Sequence, residues 1–184
     1  THPHSDMEII TYVRKGAITH RDSMGNKGRT AAGDVQVMSA GSGVRHSEYN
    51  LEDEETRIFQ IWIIPDERGG TPSWGARQFP KDERSGAFVP LASGVSNDND
   101  ALPIRADARV LGATIKAGES VTYTPRSADR HLYLVPATGK VRIGEVEGAE
   151  GVEAGARDGV AITALDRVTI TALEDSEVVL VDAA

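Results

Sequence analysis

Nineteen glycines and eight prolines cut 184 residues into short runs, and that spacing constrains the fold more than any other feature. Few helical periods survive between the breaks. The runs are rich in β-branched and aromatic residues, so the chain reads as many short strands joined by turns. Residues 2–14 read as one strand ended by Lys15-Gly16, and 17–21 as its return. Residues 23–28 read as a hairpin loop whose glycines and asparagine take up positive φ. Further strands are expected at 35–38 and 44–49. The clearest is 56–64, where Arg57, Phe59, Ile61 and Ile63 share one face and Ile58, Gln60, Trp62 and Ile64 the other. With bulk on both faces, it is expected to lie inside a sheet and be covered on both sides.

Between 65 and 103 stand Pro65, Pro72, Pro80, Pro90 and Pro103, with Gly69-Gly70 and the polar patch 96–100. This stretch reads as a linker or meander with one short strand near 86–91. Strand-like runs then resume at 108–115, 119–123, 131–136, 140–143, 159–162, 167–172 and 177–182. The two halves share an order of features. His4 to Val13, Gly16, Ile18 and Gly33-Asp34-Val35 parallel Arg130 to Val135, Gly139, Val141 and Asp158-Gly159-Val160. The expected organisation is a metal-binding barrel at 1–65, a connecting segment at 66–107, and a second, metal-free barrel of the same kind at 108–184.

Four of the five histidines fall at positions 2, 4, 20 and 46. On a strand, residues i and i+2 point the same way. His2 and His4 therefore converge on one side, and His46 and Glu48 on theirs. Facing each other inside a small barrel, the two pairs would supply three imidazoles and a carboxylate and leave coordination positions open. Glu8 competes for the fourth place, since it shares parity with the histidines in a single strand; spacing alone leaves Glu8 and Glu48 as alternatives. His20 is expected to be a surface or hydrogen-bonded residue, and His131 to be structural. The acidic run 52–55 reads as a solvated loop.

Composition narrows the chemistry. With no cysteine, a metal must be held by imidazole and carboxylate, which suits iron, manganese, nickel, copper, cobalt or zinc. The absence of disulfides points to the cytoplasm. A net charge of −8 argues against nucleic acid, whose binders need a basic face. No apolar run approaches a membrane span, and no charged, apolar leader opens the chain.

The run His2-Pro3-His4, Glu8 to Val13, His20 to Asn26, Gly33 to Gln36 and Met38 to Glu48 resembles the pirin family of the cupin superfamily, densely over residues 1–64 and loosely thereafter. The resemblance implies an all-β bicupin, two small antiparallel barrels of the double-stranded β-helix or jelly-roll type. It implies one divalent ion, iron(II) foremost, at the positions of His2, His4, His46 and Glu48, with Glu8 outside the ligand set. Family members carry a segment ahead of the H-P-H motif that supplies early strands. The numbering opens at the motif, so the first barrel is expected to lack those strands if the segment is absent; the segment is expected instead to have been cleaved or to lie outside this numbering. Bacterial relatives are associated with quercetin 2,3-dioxygenase activity. The implied partners are a small aromatic flavonol and dioxygen, with Glu48 as candidate general base and Met38, Val44 and Phe59 as pocket walls. The animal relative is associated with nuclear transcription complexes, so the alternative is a metal or redox sensor that regulates a partner protein without turnover.

Overall fold

In a computed structural model, residues 1–79, 84–144 and 151–184 are described, and the architecture is all-β. Pro80, counted above among the prolines of the connecting stretch, lies outside the described residues. The chain forms two units, Thr1–Pro80 with Leu91–Asp107, and Lys81–Pro90 with Ala108–Ala184. No helix among the described residues is long and apolar enough to cross a membrane.

The first unit holds β1 (His2–His4), β2 (Glu8–Lys15), β3 (Ala17–Asp22), β4 (Lys27–Ala31), β5 (Val35–Ser39), β6 (Val44–Tyr49), β7 (Arg57–Ile63) and β8 (Ser73–Arg77). They make two antiparallel four-stranded sheets, ordered β1-β6-β3-β4 and β7-β2-β5-β8. The sheets pack face to face around Ile9, Met38, Ala40 and Val44, with Met7 and Trp74 against them. Strand alternation sends Ile9 and Thr11 inward, leaving Ile10 and Tyr12 on the other face, also fully buried. The short strands β9 (Val89–Ser93) and β10 (Leu102–Pro103) pair in parallel.

The second unit holds β11 (Ala108–Ile115), β12 (Ser120–Tyr123), β13 (His131–Thr138), β14 (Lys140–Ile143), β15 (Val152–Gly155), β16 (Val160–Ile162), β17 (Val168–Ala172) and β18 (Ser176–Ala183). One sheet runs β12-β17-β14-β15, and in the other β11, β18, β13 and β16 are successive neighbours. Its core is apolar, built on Leu134, Val141, Ile170 and Leu180.

The internal repeat is a repeat of topology. Strands β2 and β13 are each followed by one glycine at positive φ, Gly16 at 67° and Gly139 at 75°, before the chain returns. Each pairs with the strand five places on, and the register slips at the same point, between Val13 and Lys15 and between Pro136 and Thr138. Gly33 N–H donates to the Val13 carbonyl as Arg157 N–H donates to that of Pro136. Register therefore matches Asp34 to Asp158, one residue away from the alignment read from the glycines.

Three expectations need correction. Residues 2–14 are two strands, because Asp6 adopts φ 49° and turns the chain from one sheet into the other. That turn is held by Asp6 N–H donating to the Gly41 carbonyl and by Gly69 N–H donating to Asp6 Oδ1 at 2.6 Å. Second, the 56–64 run is the edge of its sheet, with Trp62 54% and Ile64 78% exposed. Apolar bulk on both faces reports what lies above and below a strand, and carries no information about lateral neighbours. Third, β4 begins inside the expected 23–28 loop, and β8 and β15 rise from stretches with no strand-like alternation.

Candidate metal centre

Register builds the site. Across β1 and β6, His2 stands opposite His46. Across β3 and β6, His20 stands opposite Glu48 and Asp22 opposite His46. Alternation then places His2, His4, His20, Asp22, His46 and Glu48 on the inner face of one sheet. The rings of His2, His4 and His46 are mutually edge-on, with centroids 4.6 to 5.0 Å apart. Nε2 of His2 lies 3.0 Å from Nε2 of His46. Two groups could each hold a metal ion, with donor atoms within 4.8 Å of one another: His2, His4 and His46, and His20, His46 and Glu48.

The donor chemistry fits a divalent transition ion. Metal–nitrogen bonds of about 2.0–2.1 Å place neighbouring ligand nitrogens about 3 Å apart, the separation seen between His2 and His46. His4 Nε2 is buried with no hydrogen-bond partner, which is costly for a polar atom unless something else satisfies it. Burial, followed by the neighbouring His2, His20 and His4, pushes the His46 imidazole down to about 4. Burial and His2 also lower His4. Such imidazoles keep their lone pairs for a cation.

Glu48 is held from the opposite sheet. Its Oε1 accepts from Gln36 Nε2 and from Thr11 Oγ1 at 3.3 Å, and its Oε2 accepts from Gln60 Nε2 at 2.6 Å. Thr11, Gln36 and Gln60 form one rung across β5, β2 and β7. Sequence reasoning missed this rung; the signal available was a glutamine at an inward position of two otherwise apolar strands.

Glu8 takes no part. Buried at 1% exposure, it accepts from Ser39 Oγ at 2.6 Å and from Arg105 N–H at 3.2 Å. The turn at Asp6 invalidates the shared parity that made it a rival ligand. His20 is the hydrogen-bonded residue expected, but in the interior: it is fully buried, stacks on Trp74 at 4.9 Å, and meets Asp22 Oδ2 at 3.0 Å. Met38 and Val44 are core residues. Phe59 lies on the other face of β7 beneath the Arg14 guanidinium, 5.2 Å from its ring. The aromatic at the site is instead Trp62, whose ring stands perpendicular to His4 at 5.1 Å. The acidic run is solvated and partly paired, Glu52 with Arg29 and Glu55 with Arg57. His131 is exposed at the start of β13.

Two stacked antiparallel sheets carrying inward histidines and a carboxylate define a cupin-type protein. The pirin family model matches residues 1–63, and the quercetinase C-terminal cupin domain matches residues 91–183. A pirin-like protein of Caulobacter vibrioides is 68% identical over 183 residues, covering 100% of this chain and 76% of its own length. The quercetin 2,3-dioxygenase of Escherichia coli K12 is 40% identical over 184 residues, covering 99% of this chain and 74% of its own. The crystal structure of the bacterial pirin YhhW from Escherichia coli in complex with nickel(II) superposes with a TM-score of 0.86 at 37% identity, covering 99% of this chain and 74% of that one. The chain belongs to the pirin family.

Proposed function

We propose that this protein is a metal-dependent dioxygenase acting on flavonol-type aromatic substrates, with His2, His4, His46 and Glu48 as the ligands of one divalent ion, iron(II) foremost. The observation that carries the reading is the convergence of three imidazoles on one inner face beside a carboxylate held from the opposite sheet. The likeness to a protein named quercetin 2,3-dioxygenase supports the substrate class.

A divalent ion held there supplies Lewis acidity that eases ionisation of a substrate hydroxyl. The chain's own residues do the rest. Glu48, beside the proposed ion, is the candidate base for the hydroxyl proton. Trp62, exposed and set against His4, offers a flat face for a planar ring. Both atoms of dioxygen enter the product as the ring opens, and one carbon leaves as carbon monoxide.

Aerobic incubation of iron-loaded protein with quercetin tests the reading through loss of flavonol absorbance and release of carbon monoxide. Turnover no faster than with free iron, at confirmed metal occupancy, overturns it.

A further inference from the structure

The two units share strand order, glycine turns and the position of a register slip, so the second serves as an internal control for the first. Register matches Thr11, with partners Gln36 and Gln60, to Leu134, with partners Val160 and Leu180. It likewise matches His20 opposite Glu48 to Ile143 opposite Ile170. The inner row that reads Gln–Thr–Gln in the first unit reads Val–Leu–Leu in the second. Both rows sit in well-formed sheets, so the fold does not require the polar version. It occurs where a carboxylate faces it and is absent where an isoleucine does.

The donors are oriented as well as present. The Gln60 amide oxygen accepts the indole N–H of Trp62 at 3.0 Å; that group can only donate, so the Gln60 NH₂ must face Glu48. Thr30 Oγ1 donates to the Gln36 amide oxygen at 2.9 Å, turning that NH₂ the same way. A carboxylate has about four lone-pair sites. Gln36 and Thr11 take the two on Oε1, and Gln60 takes one on Oε2. One site, on Oε2, remains.

We infer that the Gln36–Thr11–Gln60 rung is a positioning device that holds Glu48 as a single-oxygen metal ligand through Oε2. This rests on the ligand set proposed above. Two-oxygen binding would require Oε1 to give up an oriented donor, so the rung keeps one more coordination position open for exogenous groups. Hydrogen-bonded outer partners of this kind change metal affinity by about 10–100-fold when removed.

The test transplants the second unit's residues into the first, as Gln36→Val and Gln60→Leu, with the near-isosteric Gln60→Glu alongside. Cobalt(II) is the probe. Its dissociation constant is read by competition with a chromophoric chelator, its coordination number by the visible absorption spectrum, and folding by circular dichroism. Affinity about 10–100-fold weaker in the transplanted variants, with an altered cobalt spectrum and an unchanged fold, is expected. Affinity within twofold of wild type and an identical spectrum overturn the inference while leaving the ligand set intact. If Gln36→Val fails to fold, Gln60→Leu on the exposed edge strand decides the matter by the same criteria. Absence of cobalt binding by the wild type overturns the inference and the ligand set together, and retention of binding in His46→Ala overturns the ligand set.

Discussion

His20 Nε2 and Asp22 Oδ2 lie 3.0 Å apart, and the direction of that bond follows from counting donors. Asp22 Oδ1 accepts from the backbone N–H of Met24 and of Asn26, and Oδ2 accepts from Asn26 Nδ2. Burial raises the Asp22 carboxyl, but the bonds from His20, Asn26 and Met24 outweigh it and hold the group below the usual carboxylate range. An ionised, donor-filled carboxylate needs a donor from His20, so His20 carries its proton on Nε2. One side chain thus ties the β3–β4 turn to the floor of the candidate metal centre.

Asp22→Ala is therefore expected to cost about 1–3 kcal/mol, since it strands the donor of the fully buried His20 and removes the acceptor of the Met24 and Asn26 turn donors. Urea unfolding measures the loss, and proton NMR of the His20 ring reports the released tautomer. Stability within about 0.5 kcal/mol of wild type contradicts this account of the turn.

Metal-free protein is expected to weaken in mild acid. His46 titrates near 4 in the folded chain against 6.5 in the unfolded one. Unfolded His46 takes its proton first as pH falls, so stability is fully present above about 6.5, drains away towards 4, and does not change further through this group. The 2.5-unit gap corresponds to about 3 kcal/mol. Chelator-treated wild type compared with His46→Gln by urea unfolding at successive pH values measures it. A parallel pH profile for the two proteins rejects the assignment.

Ligand addition gives a separate expectation. An ion bound only by the folded state adds about 4 kcal/mol at a thousandfold excess over its dissociation constant. Thermal melting should rise with nickel(II) or iron(II), and the rise should vanish in His46→Ala. A shift that survives in that variant places the ion elsewhere.

Glu8 and Glu48 should separate cleanly under mutation. Glu8→Gln leaves Ser39 and the Arg105 N–H with a weaker acceptor and should cost about 1–3 kcal/mol with metal affinity unchanged. Glu48→Gln should abolish tight metal binding, and should also cost about 1–3 kcal/mol because its amide nitrogen meets donors turned toward it. Equilibrium dialysis on both variants decides; loss of metal in Glu8→Gln restores it as a ligand.

The β class and the repeated grammar follow from the chain alone, because glycine spacing and side-chain alternation are local properties. Strand parity picks out the H-x-H and H-x-E pairs as candidate ligands, but it leaves Glu8 and Glu48 as alternatives, and the choice of Glu48 came from the pirin resemblance. Parity also misled. It placed Glu8 beside His4, and a single left-handed residue, Asp6, moved it to another sheet. The edge position of β7 and the exposure of Trp62 were likewise invisible, since lateral pairing joins residues far apart in sequence.

What residue order determined by itself was which side chains each short strand presents to a face. Tertiary structure decided which faces meet: that Glu48 lies opposite Gln36, Thr11 and Gln60 while Ile170 lies in an apolar core. The difference is physical. Alternation is set within one strand by the pleat, whereas the partner across a sandwich is chosen only when two sheets pack and every buried donor must find its acceptor.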